Sequence, residues 1–168
     1  MKDFIFKYKW VIFFAIIAIH FVFKFYGVGD NSLWFDECYT VDLAQKPISE
    51  IIHIALYEDH NPPLYGIVMH FWVNAFGDSE VAVRSLSVVA SALAAGFLFL
   101  LCLRFFNWQT SVFASLMFFT SNELYYYGQE ARTYALIVLW VVLSYYLFLS
   151  LLEKPNILKA FLFDFVNR

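Results

Sequence analysis

Two adjacent carboxylates, Asp36 and Glu37, stand among Trp34, Phe35 and Tyr39. A carboxylate desolvated against such an aromatic surface gains basicity and suits a general base. The same pair also fits a solvated helix start, where acidic side chains complement the dipole. A second polar cluster, His60-Asn61-Pro62-Pro63-Leu64-Tyr65, reads as a stiff turn leading into a short apolar helix. His60 with Glu58 and Asp59 has metal-ligand types, but without the i, i+4 ligand pair that a metal helix carries, so no metal is expected. The third cluster, Tyr125 to Tyr134, holds Glu130 and Arg132 between two apolar runs. Arg132 can pair with Glu130, meet the carboxylates of the first loop, or hold an anion such as a phosphate. Arg84, following Gly77-Asp78-Ser79-Glu80, poses the same question at the mouth of another run.

The elements that carry these residues follow from composition. Of 168 residues 62% are hydrophobic and only 15% charged, against about 25% charged in a soluble domain. This excludes a water-soluble globule, and 22% aromatic content excludes a disordered chain. A net charge of −3 without clustered Lys and Arg gives no nucleic-acid footprint. Cys38 lies in a polar loop and Cys102 in an apolar run, so no disulfide framework is expected. The bilayer is the solvent implied.

The runs 85–103, 106–127 and 133–152 are apolar enough to span. A first span is read over about 10–28, with Lys24 snorkelling toward the interface. Lys24-Phe-Tyr-Gly-Val-Gly29 offers no small-x-small cleavage site, so this segment is read as an uncleaved anchor. Residues 156–168 read as the start of a fifth span, and the chain is expected to be the N-terminal part of a longer protein. Leu64–Phe76 is short for a crossing and reads as an interfacial helix. Lys2, Lys7, Lys9, Arg104, Lys154 and Lys159 then fall on one side, against Lys24, Lys46, Arg84 and Arg132 on the other. Positive-inside makes the N-terminus cytoplasmic and the loop 29–84 extracytoplasmic. That loop holds most of the 14 acidic residues. Helices are expected from Trp34 to about Gln45 and, amphipathic, after Pro47. The fold class expected is therefore an all-α integral membrane protein of about four transmembrane helices plus a truncated fifth, with a helical first loop as a cap.

The order of the motifs adds a resemblance: a basic N-terminus, Phe35-Asp36-Glu37, His60 to Tyr65, Phe76 to Glu80, Arg84-Ser85-Leu86-Ser87, and Tyr127-Gly128-Gln129-Glu130-Ala131-Arg132-Thr133-Tyr134. It resembles the N-terminal part of the GT-C glycosyltransferases, in the branch of dolichyl-phosphate-mannose protein mannosyltransferases and lipid A aminoarabinose transferases. The resemblance implies a multi-pass enzyme of a bacterial or archaeal cell membrane. Such an enzyme moves a sugar, with inversion, from a polyprenyl phosphate to a lipid, glycan or protein acceptor on the extracytoplasmic face, without cofactor. It maps the catalytic acidic motif to Asp36 and Glu37, the base being Asp36. His60, Arg84, Tyr127, Glu130, Arg132 and Tyr134 become the expected substrate-binding residues, an arginine stabilising the leaving phosphate. Two other readings share the residues: a non-enzymatic membrane protein with structural charge pairs, and a transporter of the same lipid, which needs polar groups at mid-depth.

Overall fold

The structure, a computed structural model, describes residues 2–58, 62–153 and 155–167, with residues 2–6 and 119 described as backbone only. The regular elements among them are all helical: α1 (Lys2–Phe25), α2 (Phe35–Gln45), α3 (Ile48–Tyr57), α4 (Pro63–Phe76), α5 (Glu80–Cys102), α6 (Trp108–Thr120), α7 (Asn122–Tyr127), α8 (Tyr134–Glu153) and α9 (Ile157–Asn167). Three contain stretches long and apolar enough to cross a membrane, Lys7–Phe25, Glu80–Cys102 and Tyr134–Glu153. The chain is an all-α integral membrane protein.

α5 is the axis on which the others pack. Its buried positions are mostly small, among them Ser87, Ala90, Ser91, Ala92, Ala94, Ala95 and Gly96, and small residues let helix backbones approach where lipid supplies no hydrophobic drive. At Gly96 a side chain would run into Ile17 and Phe13 of α1, which marks a close approach of the two helices. Phe13, Ile16, Ala95, Phe99 and Leu100 form one apolar cluster there, and Ala90, Ala94, Ala135 and Leu139 form another between α5 and α8. His20, fully buried in α1, donates through Nε2 to the carbonyl of Ser115 in α6 at 3.1 Å.

The two ends of the bundle differ. At one, Arg104 meets Glu153 at 2.8 Å and lies 4.8 Å from the centroid of the Tyr146 ring. At the other, the last turn of α1, the first turns of α5 and the start of α8 converge, and α2, α3 and α4 cover them. Pro47 and Pro62 precede α3 and α4, and Pro63 occupies the first turn of α4. A proline costs nothing there because its missing N–H has no intrahelical partner. α4 is tied to the first turns of α5: Trp72 Nε1 donates to Ala82 O at 2.9 Å and to Ser85 Oγ at 3.1 Å, and Tyr65 OH lies 3.5 Å from Ser87 Oγ. His70 Nδ1 donates to Ala44 O of α2 at 2.7 Å. With about 1.5 Å rise per residue, 14 residues cover roughly 21 Å, and both ends of α4 stay at the Arg84 end.

Two expectations change. The run 106–127 is not one helix but α6 and α7, broken at Ser121, whose backbone is extended (φ −65°, ψ 120°). Thr120, Ser121 and Asn122 offer side-chain hydrogen bonds that compete with the helical ladder; Thr120 Oγ1 donates to Met117 O at 3.1 Å. Lys24 does not snorkel outward. It is fully buried and donates to the carbonyl of Leu124 in α7. The final apolar stretch folds back along α8, with Trp140 against Phe165 and Phe148 against Phe163. Lys154 lies outside the described residues.

A candidate acidic site at the mouth of the bundle

Residues 36 and 37 share the first turn of α2, and consecutive helical side chains diverge by about 100°. The structure separates them accordingly. Glu37 is fully buried and turns toward α5. Its Oε1 accepts from Arg84 Nε at 2.9 Å and from the amide of Ala131 at 2.8 Å; its Oε2 accepts from Arg84 Nη2 at 2.6 Å and from the Trp34 amide at 3.3 Å. Burial by itself pushes this carboxyl up, but the hydrogen bonds from Arg84 and Ala131, with the Arg84 charge, hold it below the usual carboxylate value.

Arg84 is as fully used as Glu37. Besides its two contacts with the carboxylate, Nη1 donates to Val28 O (3.0 Å) and Asn31 O (2.7 Å), and Nη2 to Ser32 O (3.0 Å). A guanidinium has five N–H donors, and each has an acceptor here. Arg84 therefore pins the connection from α1 to α2 onto α5, and none of its donors remains for the phosphate expected of it. Both oxygens of Glu37 are likewise engaged, and its side chain is enclosed.

Asp36 faces the other way. Its carboxylate is 38% exposed, and Arg132 Nη2 lies 3.7 Å from Oδ2. Arg132 Nη1 reaches Asp36 O at 3.3 Å and Thr40 Oγ1 at 3.5 Å, while its Nε is buried without a hydrogen-bond partner. The contrast between the two arginines is chemical: Arg84 is saturated, whereas Arg132 is held by long contacts and keeps donor capacity. Arg132 also lines an open cleft with Tyr39, Thr40, Leu43, Tyr65 and Gly66. The lack of a side chain at Gly66 matters, since a methyl there would press on Ile51 and Leu43.

The turn after α7 carries the remaining candidates. Glu130 is buried, and this desolvation raises its carboxyl above the usual value despite a hydrogen bond from Tyr126, with the Glu37 charge acting in the same upward direction. Its Oε2 has no hydrogen-bond partner. Tyr127 and Tyr134 face each other across the turn with ring centroids 4.7 Å apart and are not among the cleft-lining residues. His60 lies outside the described residues. Tyr39 was visible only as part of the aromatic surface beside the carboxylates and Thr40 was not singled out, although they sit three and four positions after Asp36, the spacing that places side chains on one helix face. Tyr65 was visible as the end of the proline motif. The Ala131 amide carries no sequence signal.

Residues 60–166 match the family described as dolichyl-phosphate-mannose-protein mannosyltransferase. The chain belongs to that family. It is thus of the GT-C type, a class of membrane glycosyltransferases. No curated protein and no solved structure matches the chain. The family match begins after Asp36 and Glu37, yet those residues are bound to the matched region through Arg84, Ala131 and Arg132. The mannosyltransferase-family segment and the acidic turn of α2 are thus joined by direct side-chain contacts.

Proposed function

We propose that the chain carries the base and the donor-phosphate site of a glycosyltransferase that takes a sugar from a polyprenyl phosphate, with inversion, and passes it to a lipid, glycan or protein hydroxyl at the extracytoplasmic face. The observation that supports this reading best is the pairing of an exposed carboxylate, Asp36, with an arginine whose donors are incompletely used, at the rim of one cleft. In a single displacement the acceptor oxygen attacks the anomeric carbon as the bond from that carbon to the phosphate oxygen breaks. The acceptor proton passes to Asp36, and the bonding electron pair leaves with the phosphate. Arg132 meets the charge gained by that phosphate. Attack from the face opposite the leaving group inverts the anomeric centre. In this reading the N-terminus is cytoplasmic and the cleft lies outside, which the Lys and Arg distribution supports.

Binding of a polyprenyl monophosphate to the purified chain, followed by native mass spectrometry, tests the phosphate site. A charge-assisted hydrogen bond contributes about 1.5–3 kcal/mol, so Arg132→Ala is expected to weaken binding by roughly 10- to 100-fold. Arg132→Lys is expected to recover only part of it, lacking the planar fork. Equal affinity in all three proteins would make Arg132 a partner of Asp36 and nothing more.

A further inference from the structure

Lys24 poses a problem that the site above does not solve. It is fully buried in the last turn of α1, in a helix otherwise suited to lipid and to the apolar face of α5. A buried ammonium is costly unless its donors are met, and a space-filling role would be served better by an apolar residue. The ammonium instead donates to Leu124 O, near the C-terminal end of α7, and lies 5.8 Å from the centroid of the Tyr125 ring. The contact is returned. Gln129, two residues past α7, donates through Nε2 to Lys24 O at 2.7 Å and to Tyr26 O at 3.2 Å. Between them stands Gly128, where a side chain would overlap the Lys24 ammonium, Leu124 O and Ser91 Oγ. The lysine on α1 thus holds the backbone of α7 at Leu124, and the glutamine on the α7–α8 turn holds the backbone of the lysine, across 100 or more positions of sequence.

We infer that Lys24 and Gln129 form a clasp that positions Arg132 relative to Asp36. The turn from Gly128 to Thr133 is fixed at two places. On one side the clasp ties it to the end of α1; on the other the Ala131 amide is bound to Glu37 and Arg132 reaches Asp36. Arg132 itself is held only by long contacts, so the backbone on either side of it must set its place. Lys24 and Gln129 are positioning residues. The clasp itself stands apart from the transfer reaction, and its effect on donor recognition rests on the function proposed above.

Hydrogen exchange of the whole chain in lipid nanodiscs, read by mass spectrometry over residues 128–133, tests the clasp without any sugar substrate. Lys24→Met and Gln129→Met are each expected to speed exchange there by about tenfold. The double variant is expected to be no faster than the faster single one, since both break the same clasp. Unchanged exchange in either single variant, or multiplying effects in the double, would overturn the clasp. If Lys24→Met does not accumulate, Gln129→Met, which leaves the cation in place, decides the matter alone. Kinetics supply the positioning readout. Displacing Arg132 raises the donor KM, by about tenfold, whereas mere loss of folded protein lowers apparent kcat at constant KM. Lys24→Gln, which restores a donor without the charge, is expected to recover part of the KM. Faster exchange with unaltered KM would leave Lys24 and Gln129 structural and overturn their positioning role.

Discussion

Asp36→Asn is expected to slow sugar transfer by on the order of 10² to 10⁴ while polyprenyl-phosphate binding stays at the parent level. Asparagine keeps the shape and the helix start but accepts no proton at neutral pH. The exposure of Asp36 beside Arg132 leaves its carboxylate open to an incoming hydroxyl, unlike the enclosed carboxylate next to it. The split between lost transfer and retained binding separates it from Arg132→Ala, which is expected to weaken binding. It is measured with labelled donor and an acceptor in membranes containing the protein. Transfer at the parent rate in Asp36→Asn would remove Asp36 from the chemistry.

Arg84→Met is expected to cause the largest loss of stability. Breaking a buried pair by removing one partner costs about 3–5 kcal/mol, because the other charge is left without compensation. Here the carbonyls of Val28, Asn31 and Ser32 lose their donor together with Glu37. A fall in the thermal midpoint on the order of 10 °C follows. Arg84→Lys is expected to recover little, since one ammonium cannot reach five acceptors arranged in a fork. Glu37→Gln adds a pH test. Because folding lowers the Glu37 carboxyl, its contribution is complete above an ordinary carboxylate value of about 4.3 and is lost as pH falls through the lowered value. Glu37→Gln is therefore expected to flatten the acid side of the stability curve. Glu130, raised by burial, acts with the opposite sign. A midpoint unchanged in Arg84→Met would mean that the node carries no net stability.

The three long apolar helices were legible because a bilayer imposes length and apolarity on a crossing, and the cap helices α3 and α4 because prolines punctuate them at Pro47 and Pro62-Pro63. The divergence of Asp36 and Glu37 was also legible, since helix geometry forbids a shared direction. Which of them turns inward was not, because that depends on Arg84 arriving from a helix 47 positions away. The sequence marks both Arg84 and Arg132 as arginines at the mouth of an apolar run. It does not distinguish them, because the acceptors that saturate Arg84 include three backbone carbonyls, and every residue carries one. The break at Ser121 was hidden for a different reason: Thr, Ser and Asn can continue a membrane helix as well as end one, so Thr120-Ser121-Asn122 alone does not mark a break. Lys24 showed itself as an oddity in an apolar helix, but its partner is the Leu124 carbonyl.

Photolabelling shows whether the cleft beside Asp36 and Arg132 receives the donor phosphate. A polyprenyl monophosphate with a photoactivatable group on the isoprene unit next to the phosphate is irradiated with membranes containing the chain, and the labelled peptides are mapped. The expected adducts lie on Tyr39 to Leu43, on Tyr65 and Gly66, or on Thr133, the residues that line the cleft or adjoin its lining, and they are lost in Arg132→Ala. Labelling confined to the opposite end, around Arg104 and Glu153, would place the donor away from Asp36, and labelling of the cleft that persists undiminished in Arg132→Ala would show that Arg132 does not hold its phosphate.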